Sequence, residues 1–212
     1  MCVPYIPPLK ANLRDQLDKW LQDEVIEPSN SPWSSTLVPV TKKTGTIWWV
    51  LDFRAVNSVT AADSYPCLNI SDILSSLGKS TFLSTLDASS AYNVIPVSLE
   101  SRPITAFTTI FGLFQFAHMP FGLKIAGAAY FRLVQRMIDM LGVEGVLAYL
   151  DDLFIHTDNL ETHLKLLDLV FQAQQESGIQ LNAEKTHLFR TEVEYLGHLI
   201  NAEGIKLVPS YV

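Results

Sequence analysis

Cysteine is nearly absent: among 212 residues only Cys2 and Cys67 carry thiols, far apart and with no Cys or His at metal-ligand spacing. Neither a disulfide framework nor a zinc site is indicated, and two unpaired thiols in a reducing compartment are the simple reading. Charge is sparse as well, at 17% of residues, and it leans acidic, with 15 Lys and Arg against 22 Asp and Glu for a net charge of −7. A chain of that sign lacks the surplus of Lys and Arg with which free-standing nucleic-acid binders neutralise phosphates. No stretch approaches the ~20 apolar residues of a membrane span. The first residues, Met1-Cys2-Val3-Pro4-Tyr5-Ile6-Pro7-Pro8, lack the basic start and apolar core of a signal peptide. The expectation is a protein of the cytoplasm or nucleus, not secreted and with no membrane partner. Internal repeats, low-complexity tracts and linkers are missing too. What is present is apolar: 48% hydrophobic residues, enough for one good-sized domain or two lobes sharing a core.

The apolar residues mark out elements. Leu9, Leu13, Leu17, Trp20, Leu21 and Val25 fall at helical period with one buried stripe, and the run Glu27-Pro28-Ser29-Asn30-Ser31-Pro32 is expected to end that helix. Thr36 to Lys42 and Thr46 to Phe53 read as a hairpin about Lys43-Thr44-Gly45. Asn69 or Ser71 is expected to cap a short helix through Leu77, stopped by Gly78. Strands are expected near Thr105–Thr109 and Leu113–Phe116, then a helix from about Leu123 to Leu141 ending at Gly142. Asn159 caps a further helix to about Ser177, with Leu160, Leu164, Leu167, Val170 and Phe171 on its buried side and Gly178 at its end. Leu188 to Lys206 reads as short strands and turns. Strands mixed with helices, without βαβ alternation, predict an α+β fold, an antiparallel sheet backed by helices.

The chemistry concentrates in the run Leu147-Ala148-Tyr149-Leu150-Asp151-Asp152-Leu153-Phe154-Ile155, an apolar strand, an acidic tip and a second apolar strand. A hairpin tip favours Asn or Gly, and two carboxylates among buried-type residues are a costly like-charge pair unless a cation neutralises them. A second acidic strand end follows Phe82-Leu83-Ser84-Thr85-Leu86 at Asp87. With the two strands as neighbours, Asp87 and Asp151 can face a shared pair of Mg²⁺ ions about 3.5–4 Å apart, as in polymerases and nucleases. The plainer alternative is that these acids are solvated turn residues. The histidines show no common ligand spacing, which speaks against a histidine metal site.

In their order along the chain, Ser31-Pro32-Trp33, Asp52-Phe53-Arg54, Thr85-Leu86-Asp87, Met119-Pro120-Phe121-Gly122-Leu123, Tyr149-Leu150-Asp151-Asp152 and Glu194-Tyr195-Leu196-Gly197-His198 resemble the reverse transcriptases of gypsy-type long-terminal-repeat retrotransposons and their retroviral relatives. The resemblance runs from Pro7 to Lys206. It implies the fingers and palm of a right-hand polymerase, truncated before the thumb, with fingers at about 1–80 and part of 101–120 and palm at about 81–100 and 121–212. It implies RNA-directed DNA polymerisation on an RNA or DNA template with a primer and dNTPs. Two Mg²⁺ ions, with Mn²⁺ as a substitute, would be held by Asp87 and Asp151, assisted by the Ala88 carbonyl, with Asp152 the less direct ligand. It further implies that Tyr92 lies beneath the incoming sugar, that Lys42 or Lys43 meets the triphosphate, and that Lys185 sits near the leaving pyrophosphate. On the residues alone Tyr92 also reads as a core tyrosine, and the two lysines as a solvated hairpin end.

The departures from the family pattern fall on substrate-gripping positions. Trp48 stands where relatives carry an arginine that forks onto the triphosphate. Ile125, Gly127 and Phe131 replace an Asn, a Pro and a Gln near the nucleotide and template, and Ile104 replaces a frequent Lys. One lost charge-assisted hydrogen bond costs about 1.5–3 kcal/mol, so impaired synthesis is expected. A catalytically silent, retroelement-derived binding module is the alternative, and a two-metal nuclease a third reading. Without a thumb, template binding is expected to be weak and salt-sensitive, and exposed apolar surface to favour association.

Overall fold

The computed structural model describes residues 7–42, 44–65, 77, 80–149, 152–195 and 197–208. Asp151, Lys43 and the short helix expected between Asn69 and Leu77 lie outside the described residues. The chain forms two compact units, Met1–Asp63 with Tyr92–Ala126, and Ser64–Ala91 with Gly127–Val212. Among the described residues no helix is long and apolar enough to cross a membrane.

The first unit opens with helix α1, Pro7–Gln22, followed by strands β1 (Ile26–Pro28), β2 (Ser35–Thr41) and β3 (Ile47–Asp52), helix α2 (Arg54–Val59), and strands β5 (Phe107–Thr109) and β6 (Gly112–Phe116). Its sheet runs β1-β6-β5-β2-β3, antiparallel except where Ser35 and Thr36 of β2 pair in parallel with Phe107 and Thr108 of β5. Leu13 and Leu17 of α1 are buried with Phe107 and Phe116, and Trp20 meets both rings edge-on at 6.3 and 5.9 Å. The Trp49 indole N–H donates to Asn12 Oδ1 at 2.8 Å, tying α1 to β3. The helix ends three residues sooner than its apolar stripe: Val25 is buried outside it, and Ile26–Pro28 pairs with Phe114–Phe116 instead of forming a loop. Glu27 explains the pairing, since its carboxylate accepts from Arg102 at 2.8 Å and from Gln115 at 2.7 Å. The expected hairpin forms around Gly45, whose φ of 83° falls in the region that favours glycine.

The second unit carries β4 (Phe82–Ser89), helix α3 (Ala126–Leu141, its first residue in the first unit), β7 (Val146–Tyr149), β8 (Asp152–Thr157), helix α4 (Leu160–Glu176), and β9 to β13 at Gln180–Leu181, His187–Arg190, Glu192–Tyr195, His198–Asn201 and Gly204–Leu207. One sheet runs β10-β4-β8-β7, with β9 added to the end of β4, and β11-β12-β13 forms a second. Register fixes what each face of β4 and β8 presents, because directly opposed antiparallel residues share a face and successive residues alternate. Ser84 opposes Ile155, and Phe82 opposes Thr157. On the other face Leu83 opposes His156, Thr85 opposes Phe154 and Asp87 opposes Asp152. Phe154 and Leu83 pack there with Val193, Tyr195 and Ile200.

Helix α3 buries Ala126, Tyr130, Val134, Met137 and Ile138 on one stripe. Helix α4 corrects the expectation. Leu160, Leu164 and Phe171 are exposed (47%, 50% and 37%), whereas Leu167 and Val170 are buried as expected, together with His163, Leu166 and Gln174. The stripe turns because a histidine takes the innermost place. His163 Nε2 lies 2.8 Å from Ser84 Oγ, and Nδ1 lies 3.0 Å from Thr157 Oγ1. Two satisfied ring nitrogens make that burial affordable.

Candidate active site

The acidic residues come together through the β4–β8 pairing. Leu83 and Leu86 of β4 are buried, as are Leu153, Phe154 and Ile155 of β8, so the apolar runs hold the two strands side by side. Their shared polar ends then place Asp87 directly opposite Asp152, on one face. Tyr149 of β7 pairs with Asp152 and extends the same row. Like charges directly opposed across two strands destabilise a sheet, and a cation is present: Lys185 Nζ lies 3.2 Å from Asp87 Oδ2. The resemblance implies a place for Lys185 near the leaving pyrophosphate; the structure adds this contact with the carboxylate.

Next to this row on the same face, Tyr195 stacks on Phe154 with ring centroids 4.7 Å apart. Burial pushes its hydroxyl well above the ordinary tyrosine range, and the charges of Asp152 and then Tyr149 add to that. The hydroxyl meets no hydrogen-bond partner among the described residues. Tyr195 was legible only as part of a motif. Its place beside the aspartates needed the register of β8.

Lys42 and Tyr92 belong to the first unit. Lys42 Nζ sits 5.6 Å over the Trp48 ring, Trp48 meets Phe121 edge-on at 5.9 Å, and Phe121 meets Tyr92 at 4.6 Å. Trp48 and Phe121 remain 41% and 45% exposed, so the row is open to solvent and not a core. The Met119–Leu123 turn behind Phe121 is held by a residue the sequence reading passed over. Asn57 of α2 donates to the Gly122 carbonyl and accepts the Lys124 N–H, both at 2.7 Å. Gly122, at φ 92°, is the residue type the turn requires. Among the departures, Phe131 is buried, its ring edge-on to Tyr65 at 5.8 Å, so it is a core residue of the second unit. Ile104 and Trp33 line a groove of about 560 Å³ in the first unit with Thr36, Asp52 and Arg54. There Arg54 grips both Asp52 oxygens, and these hydrogen bonds hold the Asp52 carboxyl down to about 2.

Asp87 and Asp152 offer hard oxygen donors from adjoining strand ends, the ligand chemistry of Mg²⁺ or Mn²⁺. Among the described residues they are not joined by a third His, Cys, Asp or Glu able to complete a site, and Asp151 lies outside those residues.

Residues 40–200 match the family described as reverse transcriptase (RNA-dependent DNA polymerase). The chain belongs to the reverse transcriptase family. It is 38% identical to the retrovirus-related Pol polyprotein from transposon opus of Drosophila melanogaster, over 99% of this chain and 21% of that protein. Against the corresponding polyprotein from transposon gypsy it is 33% identical, over 94% of this chain and 20% of the relative. The foamy viral protease-reverse transcriptase in complex with double-stranded DNA superposes with a TM-score of 0.87 at 28% identity, covering 95% of this chain and 35% of that one. The same enzyme with an RNA/DNA hybrid gives 0.86 at 28% identity, over 98% and 28% of the two chains. This reverse transcriptase chain thus spans about a fifth of the length of the curated relatives it matches. Its α+β architecture is that of the fingers and palm of a polymerase.

Proposed function

We propose that the chain is the RNA-directed DNA polymerase part of a retrotransposon-type polyprotein, extending the 3′-hydroxyl of a primer with dNTPs on an RNA or DNA template. The observation that carries this reading is Asp87 facing Asp152 across β4 and β8, with the Lys185 ammonium at 3.2 Å. Asp87, Asp151 and Asp152 would hold two Mg²⁺ ions, which when bound lower the pKa of an attacking hydroxyl and neutralise charge on the transferring phosphate. The rest falls to the chain's own residues. Tyr195 and Phe154 brace the end of β8 beside the carboxylates. Lys42 and Lys185 supply positive charge to the triphosphate and the leaving pyrophosphate, and Tyr92 shapes the floor for the sugar. The groove between Trp33 and Arg54 offers a stacking face, hydroxyls and a guanidinium to a template strand.

Primer extension on an RNA template with Mg²⁺ or Mn²⁺ tests the reading. Asp87→Asn and Asp152→Asn should each lower extension by more than roughly a hundredfold, since even the outer partners of metal ligands are worth 10–100-fold. No aspartate-dependent extension at high protein concentration, with either ion, would overturn it. Trp48→Arg gives a second arm. Restoring one charge-assisted hydrogen bond to the triphosphate should lower the KM for dNTP by about tenfold or more, with kcat less affected.

A further inference from the structure

Lys185 reaches Asp87 through a turn that is itself fastened to Asp87. The Asn182 N–H donates to the Asp87 carbonyl at 2.9 Å, and the Asn182 carbonyl accepts the N–H groups of Lys185 at 3.2 Å and Thr186 at 2.9 Å. Asn182 Oδ1 also accepts the Glu184 N–H at 3.1 Å. On one side of the turn β9 pairs Leu181 with Ala88, and on the other β10 pairs His187 with Thr85. The turn is therefore pinned along the outer edge of β4 at the aspartate. Its lysine, 66% exposed, has open solvent available, yet Nζ lies on Asp87 Oδ2.

We propose that Lys185 is a resident counter-ion of Asp87, which a divalent cation must displace to reach that carboxylate. The inference rests on the metal reading given above. An ammonium on Asp87 Oδ2 occupies an oxygen that a divalent ion would take, and at such short range it repels the ion, so the two compete for this carboxylate. Without metal, the ion pair relieves the contact between Asp87 and Asp152 and keeps the Asp87 carboxylate aimed outward. With metal, the ammonium swings away on its four-carbon stem while the Asn182 turn stays bonded to the Asp87 backbone. Lys185 then remains within a side chain's length of the metal, beside any phosphate oxygens gathered there. The charge that guarded the carboxylate becomes available to the substrate only once the ion has arrived.

Mn²⁺ titration followed by electron paramagnetic resonance, with no nucleotide present, tests this on the wild type, Lys185→Met, Lys185→Arg and Asp87→Asn. Removing the ammonium should tighten Mn²⁺ binding by about two- to fivefold, the size of an exposed ion pair. Lys185→Arg, which keeps the charge, should bind like the wild type. A merely structural lysine would give the opposite sign, because a loosened turn weakens the site. Unchanged or weaker Mn²⁺ binding in Lys185→Met overturns the proposal. If Asp87→Asn removes the binding while Lys185→Met leaves it unchanged, this inference alone falls. If Asp87→Asn binds Mn²⁺ as the wild type does, the metal reading falls with it.

Discussion

At the scale of single residues, His163 shows how much one polar side chain can join. The Thr157 hydroxyl donates to the Asn159 carbonyl at 3.1 Å, which commits its only proton. The contact between Thr157 and Nδ1 must then be donated by the ring, so the neutral imidazole accepts at Nε2 from Ser84. Ser84 Oγ in turn accepts the Phe189 N–H at 3.1 Å. A single hydrogen-bond chain thus links β10, β4, α4 and β8. Burial pushes the His163 pKa down, and the neighbouring His156 adds to the effect. Because the folded pKa lies below the unfolded value of about 6.5, the unfolded chain binds more protons between those two values. Stability is therefore expected to fall as pH drops from about 6.5 through the folded pKa. His163→Leu should cost on the order of 2–4 kcal/mol by leaving the buried Ser84 hydroxyl proton without its acceptor and Thr157 Oγ1 without the ring N–H it accepts, and should flatten the pH slope. Thermal unfolding of both proteins between pH 7 and pH 5 checks both, and an unchanged slope would remove His163 from the account.

Elements, the next scale, are set by caps and close approaches. Asn159 Oδ1 accepts the N–H groups of Glu161 and Thr162 at 2.8 and 3.2 Å at the start of α4, so Asn159→Ala should lower stability by about 1 kcal/mol in denaturant unfolding. Gly145, ahead of β7, has φ 88°, and a Cβ there would stand 2.6 Å from the His156 carbonyl oxygen. Gly145→Ala should cost more than ~1 kcal/mol and disturb the β7–β8 hairpin. Near-wild-type melting would show that the backbone can move aside. The cap at Asn159 is legible in sequence, as are α1, the β2–β3 hairpin, the stop at Gly142 and, without their number or bounds, short strands between Leu188 and Lys206, because each has a local signal in periodicity or turn chemistry. Strands β1 and β9, three and two residues long, have no such signal and exist through their partners. The buried side of α4 is legible only for Leu167 and Val170, because what turns His163 inward includes Ser84, 79 residues away along the chain. At the site, the three aspartates and Lys185 could be named from motifs. The opposition of Asp87 to Asp152, and the clamp of Asn57 on Gly122, depend on register and on contacts across about 65 residues of chain, which motifs do not carry.

For the whole molecule, charge divides unevenly. The first unit has eight basic and eight acidic residues, whereas the second has seven basic and fourteen acidic, so the entire net charge of −7 resides in the unit that bears the aspartates. A polyanion brought to that unit would meet repulsion, which divalent ions would relieve. Added Mg²⁺ normally weakens protein–nucleic acid complexes by competing for phosphates. Here millimolar Mg²⁺ is expected to strengthen binding to a primer-template at constant ionic strength, as filter binding can measure. A monotonic loss of affinity would contradict this. The unit is also discontinuous: β4 precedes the stretch Tyr92–Ala126 that belongs to the first unit, and its partner β8 follows it. During synthesis at about 5–20 residues per second, Phe82-Leu83-Ser84-Thr85-Leu86 must leave the ribosome and wait several seconds for a partner about 70 residues downstream. A β-prone apolar segment left unpaired for that long is a site for chaperone capture or aggregation, which makes the newborn chain most vulnerable at the strand that ends in Asp87.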